Sequence, residues 1–312
     1  MTTESLSTWN DGAAKQSILD FLARVTTPGA GEFVPREERV AVFDNDGTLW
    51  CEKPLPIQAD FLLEQVAKMG EHDPALRERQ PWKAAVEKDY RWLAGVIEKH
   101  YRGDNGELME VLAPGLLQAY AGISVEDFEA SAARFIAIAE HPRLNRPYRR
   151  CIYTPMVDLL ATLEAHGFTN YIVTGGGQDF MRPATMDLYH VPPERVIGST
   201  VALQYMDGSS VAHLIHKPEL GIFDDGKTKP VQIWTLTGRR PVFAGGNSNG
   251  DIQMLHFCAE PRRPSFGLLL RHDDEDREFA YDGGAEAAHE RASSEGWTVA
   301  SMKNDWKTVF PL

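Results

Sequence analysis

The sequence predicts an α/β protein built on a doubly wound, mostly parallel sheet that is interrupted by an inserted helical block. Three observations carry that expectation. Short apolar runs rich in β-branched and aromatic residues, at 40–43, 171–173 and 241–244, each lead into a polar or glycine-rich turn and then a helical pattern. From about residue 56 to residue 141 the chain shows helical stretches divided by Pro and Gly, with no convincing strand. A length of 312 residues, with 43% hydrophobic and 25% charged residues, suits one large α/β domain with an insertion, or two domains.

In chain order, Ile18, Phe21, Leu22 and Val25 repeat at helical spacing, and Thr26-Thr27-Pro28-Gly29 ends that leading helix. The run 40–43 reads as a buried strand because charges precede it and a polar cluster follows it. In the insertion the best helices are 61–69, 82–97 (Val86, Tyr90, Leu93, Ile97) and 125–139. The last opens on a capping-box-like Ser124-Val125-Glu126-Asp127. Thr154-Pro155 starts the next helix, which stops at His166-Gly167. The strand 171–173 ends at Thr174-Gly175-Gly176-Gly177, with a helix from Gln178. Strand-like stretches at 196–205 and 211–215 flank Asp207-Gly208, a hairpin turn signal. Lys229-Pro230 leads into a helix over 231–236, and the strand 241–244 ends at Gly245-Gly246-Asn247-Ser248-Asn249-Gly250-Asp251. A helix over 252–257, strands at 265–270 and 297–302, and an acidic solvated loop at 273–276 complete the expectation.

Composition excludes some partners. A net charge of −13 disfavours nucleic acid and anionic membranes. No run is long enough to span a bilayer, and the first ten residues have neither the basic start nor the apolar core of a secretory signal. Cys51, Cys151 and Cys258 are odd in number and have no Cys-x-x-Cys spacing, so free thiols in a reducing cytoplasm are expected.

Asp44 and Asp46 stand two apart where the first strand ends, so in extended backbone both carboxylates point to one side, and Gly47 lets the chain turn away. Like charges about 4 Å apart repel by roughly 4 kcal/mol at an effective dielectric near 20, so a cation or a proton must offset the pair. The same residues are also common turn formers, which leaves a plain loop as the rival reading. In a doubly wound sheet, however, the carboxyl ends of the strands share one edge, and the three turns should meet there.

Asp44-Asn45-Asp46-Gly47-Thr48, Thr174-Gly175-Gly176, Lys229 and Gly246-Asn247-Ser248-Asn249-Gly250-Asp251, in that order, resemble the four motifs of the haloacid dehalogenase-like superfamily, in its phosphoserine-phosphatase-like branch. The resemblance implies a Rossmann-like core over 1–51 and 148–312 with a helical cap over 52–147. It implies a Mg²⁺-dependent phosphomonoester hydrolase acting on a small phosphorylated metabolite. Asp44 would attack phosphorus, and Asp46 would serve as acid and then base. Thr174, the Gly175 N–H and Lys229 would hold the phosphoryl oxygens. Asp44, the backbone carbonyl of Asp46, Asn247 and Asp251 would form the metal site. The sequence departs from many relatives at Asn247, where a neutral amide replaces a carboxylate, so either Asn247 or Asp251 would be the direct ligand. Lys227 competes with Lys229, which is preferred because it stands just ahead of a helix.

Arg182, within about two helical turns of Thr174, is a candidate for binding a substrate anion, against the alternative of a salt-bridged arginine. Glu52 and Trp50 are placed to line the cleft or to pack as linker, and His213 and His216 read as structural. Gly221-Ile222-Phe223-Asp224-Asp225-Gly226-Lys227-Thr228 matches a phosphate-binding loop pattern, yet Phe223 and two acids would crowd and repel phosphates. A phosphotransferase or phosphomutase of the same fold, a nucleotide-binding protein and a silent scaffold are the rival functions.

Overall fold

The computed structural model describes residues 6–104, 106–208 and 211–311. Its centre is a mostly parallel sheet. Strands β1 (Val40–Phe43), β2 (Thr169–Gly177) and β3 (Val196–Ser199) form one half. Strands β4 (Val201–Met206) and β5 (His213–Leu220) pair with each other as a separate antiparallel hairpin. Strands β6 (Phe243–Gly246), β7 (Phe266–Asp273), β8 (Ala280–Tyr281) and β9 (Thr298–Ser301) form the other half. The sheet order is β3-β2-β1-β6-β7, with β9 parallel and β8 antiparallel along the outer edge of β7.

β1 is therefore central, pairing parallel with β2 (Val42↔Tyr171) and with β6 (Phe43↔Gly245). The chain leaves β1 towards β2 and later returns to its other side as β6, which makes this edge a topological switch point with a crevice at the strand carboxyl ends. All four β1 residues are buried because the strand has a core on each side. Ala41 and Phe43 join one apolar cluster and Val40 and Val42 the other, as the two-residue period of a strand requires.

The first face is covered by α1 (Ala13–Thr26) through Ile18, Phe21 and Leu22. Between β1 and β2 lie the inserted helices α2 (Ile57–His72), α3 (Pro74–Arg77), α4 (Trp82–Glu87), α5 (Tyr90–Tyr101), α6 (Ala113–Gln118) and α7 (Val125–Ile138). A wider helical turn, Leu108–Leu112, leads into α6. Helices α8 (Thr154–Ala165) and α9 (Gln178–Tyr189) flank β2 in sequence. The insertion shares a core with the sheet layer: Phe61 of α2 packs at a tilt against Phe180 of α9 at 5.3 Å and meets Phe128 of α7 edge-on at 5.6 Å. The second face is covered by α10 (Thr228–Thr237), α11 (Ile252–Cys258) and α12 (Glu286–Glu295), through Ile233, Leu255 and Ala288 among others. A short α13 (Met302–Asp305) follows β9.

Several elements differ from the sequence expectation. The helix over 82–97 is two helices, because Lys88 takes φ 54° and the Asp89 carboxylate caps a fresh start at the Trp92 N–H. The stretch 196–205 is two strands in different sheets, divided at Thr200. The acidic segment 273–276 is not simply solvated: Asp274 is buried and pairs with Arg277, while Asp273 accepts from the Ser301 hydroxyl at 2.6 Å. The three cysteines are free and buried, and Cys51 donates its N–H to the Cys151 carbonyl at 3.0 Å, so two thiols far apart in sequence are neighbours. Residues 1–5 of the segment without signal character, and residues 209 and 210 beside the Asp207-Gly208 turn, lie outside the described residues. Among the described residues, no helix is long and apolar enough to cross a membrane.

Candidate active site

The β1 backbone remains paired up to its last residue, and the Asp44 N–H still donates to the Gly245 carbonyl at 3.0 Å. The chain then turns on Gly47, whose φ of +75° only glycine adopts freely. A Cβ at that position would also stand 2.2 Å from Asn247 Nδ2, so the first and last motifs meet through this glycine. The Asn45 carbonyl accepts from the N–H groups of Thr48, Leu49 and Trp50, which locks the loop.

Lys229 reaches this point from the first turn of α10 rather than from ahead of the helix. It is buried, and its Nζ donates to Asp44 Oδ1 and to Asp251 Oδ1, each at 2.7 Å. Lys227 is exposed and lies outside this set. The other Asp251 oxygen accepts from the N–H groups of Asn247 and Ser248, each at 3.0 Å, and from the Ser248 hydroxyl at 3.2 Å. Asp251 is thus placed as the partner of Lys229 and the organiser of the β6 turn.

Burial lowers the Lys229 ammonium, but the Asp251 and Asp44 carboxylates more than offset this and hold it charged, above its usual range. One lysine cannot balance two carboxylates. Burial and the Asp251 charge raise Asp44 well above the usual carboxyl range, against the pull of Lys229. Asp46 differs: the Trp50 indole donates to its Oδ1 at 2.9 Å, and the Thr174 hydroxyl lies 3.5 Å from its Oδ2. Burial pushes Asp46 up to about 6, with Glu52 adding to the rise and the Trp50 hydrogen bond opposing it.

The structure brings Asp44, Asp46, Gly175 and Lys229 to one cavity of about 280 Å³, together with Glu52 and Ser248. Thr174 is buried beside it, with its hydroxyl accepting from the Gly176 N–H at 2.9 Å. Arg182 is not brought there: it pairs with Asp179 at 3.2 Å, three residues back on α9, and does not line the cavity. Asp179 also holds buried His216 at 3.1 Å, which gives that histidine a structural place between α9 and β5, whereas His213 is exposed. The phosphate-loop pattern at 221–228 makes no cradle, since the Ile222 and Asp224 N–H groups donate to the Thr200 and Ser199 hydroxyls. Glu52 lines the cavity, while Trp50 is fully buried and acts through Asp46. Sequence reasoning missed Tyr281, whose hydroxyl donates to Glu52 at 2.7 Å, and Ser199, which anchors the Gly175 carbonyl at 2.7 Å. No motif marks either residue.

A divalent cation can be tested against the donors. The Thr48 hydroxyl lies 2.9 Å from Asn247 Oδ1 and 3.4 Å from Asp44 Oδ2, so these oxygens converge. Glu52 adds a carboxylate 3.2 Å from Asn247 Nδ2. Among the described residues there is no cluster of three or more His, Cys, Asp or Glu side chains that could hold a metal ion, so any cation here would rest on other oxygens as well. The Asp44 carboxylate, the Asn247 amide oxygen and the Thr48 hydroxyl are an all-oxygen set of the kind that suits Mg²⁺, which keeps several waters, and a cation there would offset the surplus charge on Asp44.

The sequence profile of haloacid dehalogenase-like hydrolases matches residues 41–256. The chain belongs to that family. No curated protein matches it. Among solved structures, a conserved functionally unknown protein of Anaerococcus prevotii DSM 20548 is similar with a TM-score of 0.57 at 15% identity, covering 98% of each chain. A protein of unknown function from Bordetella pertussis Tohama I is similar with a TM-score of 0.53 at 17% identity, covering 84% of this chain and 97% of that one. A substrate-bound phosphoserine phosphatase is similar with a TM-score of 0.41 at 12% identity, covering 75% and 86%. At 15% and 17% identity, the likeness to the first two is one of fold alone. This haloacid dehalogenase-like hydrolase has the mostly parallel α/β sheet, flanked by helices, that the sequence predicts.

Proposed function

We propose that the protein is a Mg²⁺-dependent phosphomonoester hydrolase that works through an aspartyl phosphate on Asp44. The observation that carries this reading is the contrast between two carboxyl groups facing one cavity. Asp44 is ion-paired with Lys229, although burial and the Asp251 charge raise it, whereas Asp46 has the Trp50 indole as its partner and is pushed by burial up to about 6. The carboxylate held by the ammonium serves as nucleophile, and the carboxyl held by the indole serves as acid.

The Asp44 carboxylate attacks phosphorus as the bond from phosphorus to the leaving oxygen breaks, and the Asp46 proton goes to that oxygen. A water then attacks phosphorus, Asp46 takes back its proton, and Asp44 is released with inorganic phosphate. Trp50 keeps Asp46 aimed at the leaving oxygen through its indole N–H. The Lys229 ammonium offsets charge on the transferring group while Asp251 fixes its direction. Asp44, the Asp46 backbone carbonyl and Asn247 would hold Mg²⁺, with Glu52 beside Asn247 supplying the charge that the amide lacks. When bound, the metal supplies charge stabilisation to the phosphoryl oxygens.

The test is turnover of a panel of phosphomonoesters, with Mg²⁺ and with a chelator, by wild type and Asp44→Asn. Metal-dependent release of phosphate that is lost in the variant is the expected result. Equal turnover by both proteins would refute the assignment.

A further inference from the structure

Resting on the phosphatase reading, we infer that the leaving group is an uncharged, apolar alcohol, so that the substrate is an alkyl or aryl phosphomonoester rather than a phosphorylated amino acid or polyol. The cavity above Asp44 has a polar floor and apolar walls. Leu62 of α2, Ile97 of α5 and Leu116 and Leu117 of α6 line it from the insertion, and Val201 of β4 and Phe223 line it from outside the insertion. The walls and the reacting carboxyl groups belong to one cavity, so what sits against the leucines is what leaves with the oxygen.

The polar groups that line the cavity beside the apolar ones already have partners: the Thr200 hydroxyl accepts from the Ile222 N–H at 2.9 Å, and Asp225 lies 3.7 Å from His100. Gln58 lines the cavity, but its Nε2 donates to the Tyr120 hydroxyl at 2.7 Å and its Oε1 accepts from the Gly177 N–H at 2.6 Å. Among the described residues lining the cavity, the basic side chains are Lys229 and His100. Lys229 is engaged by two carboxylates, and His100 lies 3.7 Å from Asp225. No arginine is present there to meet a substrate carboxylate, and Arg182, which sequence position makes a candidate, is turned to Asp179. A phosphoserine-like leaving group would bury its carboxylate without a partner, which is costly. A hydrocarbon group would find contact on both sides. At roughly 30 Å³ per water-sized group, a cavity of about 280 Å³ has room for a phosphoryl group and a short chain or a ring.

The experiment measures kcat/KM for ethyl, butyl, hexyl and 2-phenylethyl phosphate against phosphoserine, glycerol 3-phosphate and choline phosphate. The simple alkanols ionise in a similar range, so leaving-group reactivity does not set the order along the chain-length series, and the ammonium-bearing alcohols are the better leaving groups, which works against the predicted order. Apolar contact retained in the transition state raises kcat/KM by about fourfold per buried methylene. Hexyl phosphate has four more methylenes than ethyl phosphate, so burying even two of them should raise kcat/KM roughly sixteenfold, with phosphoserine and glycerol 3-phosphate at or below ethyl phosphate. Leu117→Gln should flatten the chain-length slope. A flat slope in wild type, or a charged or polyol ester turned over as well as hexyl phosphate, overturns the inference and leaves the phosphatase reading standing. Failure to hydrolyse any ester in the presence of Mg²⁺ overturns both.

Discussion

Replacing Lys229 by methionine removes the one cation that holds two buried carboxylates at the centre of the sheet edge. Its Nζ lies 2.7 Å from an oxygen of Asp44 and 2.7 Å from an oxygen of Asp251. At an effective dielectric near 20 each contact carries a Coulomb attraction of about 6 kcal/mol, most of which is offset by the cost of burying the ions. What the substitution exposes is that cost: two acids remain buried with no counter-charge. Breaking a buried pair in this way typically costs about 3–5 kcal/mol. The assay is equilibrium urea unfolding of wild type and Lys229→Met at neutral pH, each repeated with Asp251→Asn added. The single variant should lose about 3–5 kcal/mol, and adding Asp251→Asn should return a large share, because one of the stranded charges is gone. A loss below about 1 kcal/mol, or a double variant no more stable than the single, would refute the charge balance described for the site.

Other outcomes follow from the same structure. If Asp46 gives its proton to the leaving oxygen, kcat/KM should fall as pH rises through about 6, and Trp50→Phe, which removes a hydrogen bond to the carboxylate form, should move that fall to higher pH in a pH–rate profile. Asp224 is fully buried, neither of its carboxyl oxygens has a hydrogen-bond partner among the described residues, and burial pushes it up to about 6. A carboxyl raised in the folded state favours folding below its unfolded pKa, near 3.8, and loses that advantage as pH climbs through about 6. Asp224→Asn should therefore stabilise the protein by up to about 3 kcal/mol at pH 8 and by little at pH 4, which chemical unfolding at the two pH values will measure. Gly47→Ala forces a side chain into φ +75° and against Asn247, and should lower both thermal stability and Mg²⁺ affinity in calorimetry.

How much of this is legible in the sequence depends on the range of the forces involved. β1, β2 and β6 are readable because strands buried on both faces must be apolar throughout, and the turns after them hold the residues that the fold brings together. Thr200 is not readable as a divide, since one residue separates β3 from β4 and only tertiary pairing sends them into different sheets. Asp44, Asp46 and Lys229 stand in motifs whose spacing reports their geometry. The fate of Arg182 was set by Asp179 one helical turn away, a local pairing that a search for anion binders overlooks. The place of Glu52 depended on Tyr281, 229 positions along the chain, and on Asn247, 195 positions along, which no local pattern encodes. Asp251 could be a ligand or a lysine partner on sequence grounds, and in the fold one of its oxygens accepts from Lys229 and the other from the backbone N–H groups of Asn247 and Ser248.

The central claim is that Asp44 receives the phosphoryl group. The most direct measurement is peptide mapping by mass spectrometry of protein quenched in acid during turnover of an alkyl phosphate. A phosphoryl adduct on the peptide that contains Asp44, absent from Asp44→Asn, is the predicted result. Turnover that proceeds without any such adduct and survives in Asp44→Asn would contradict the account.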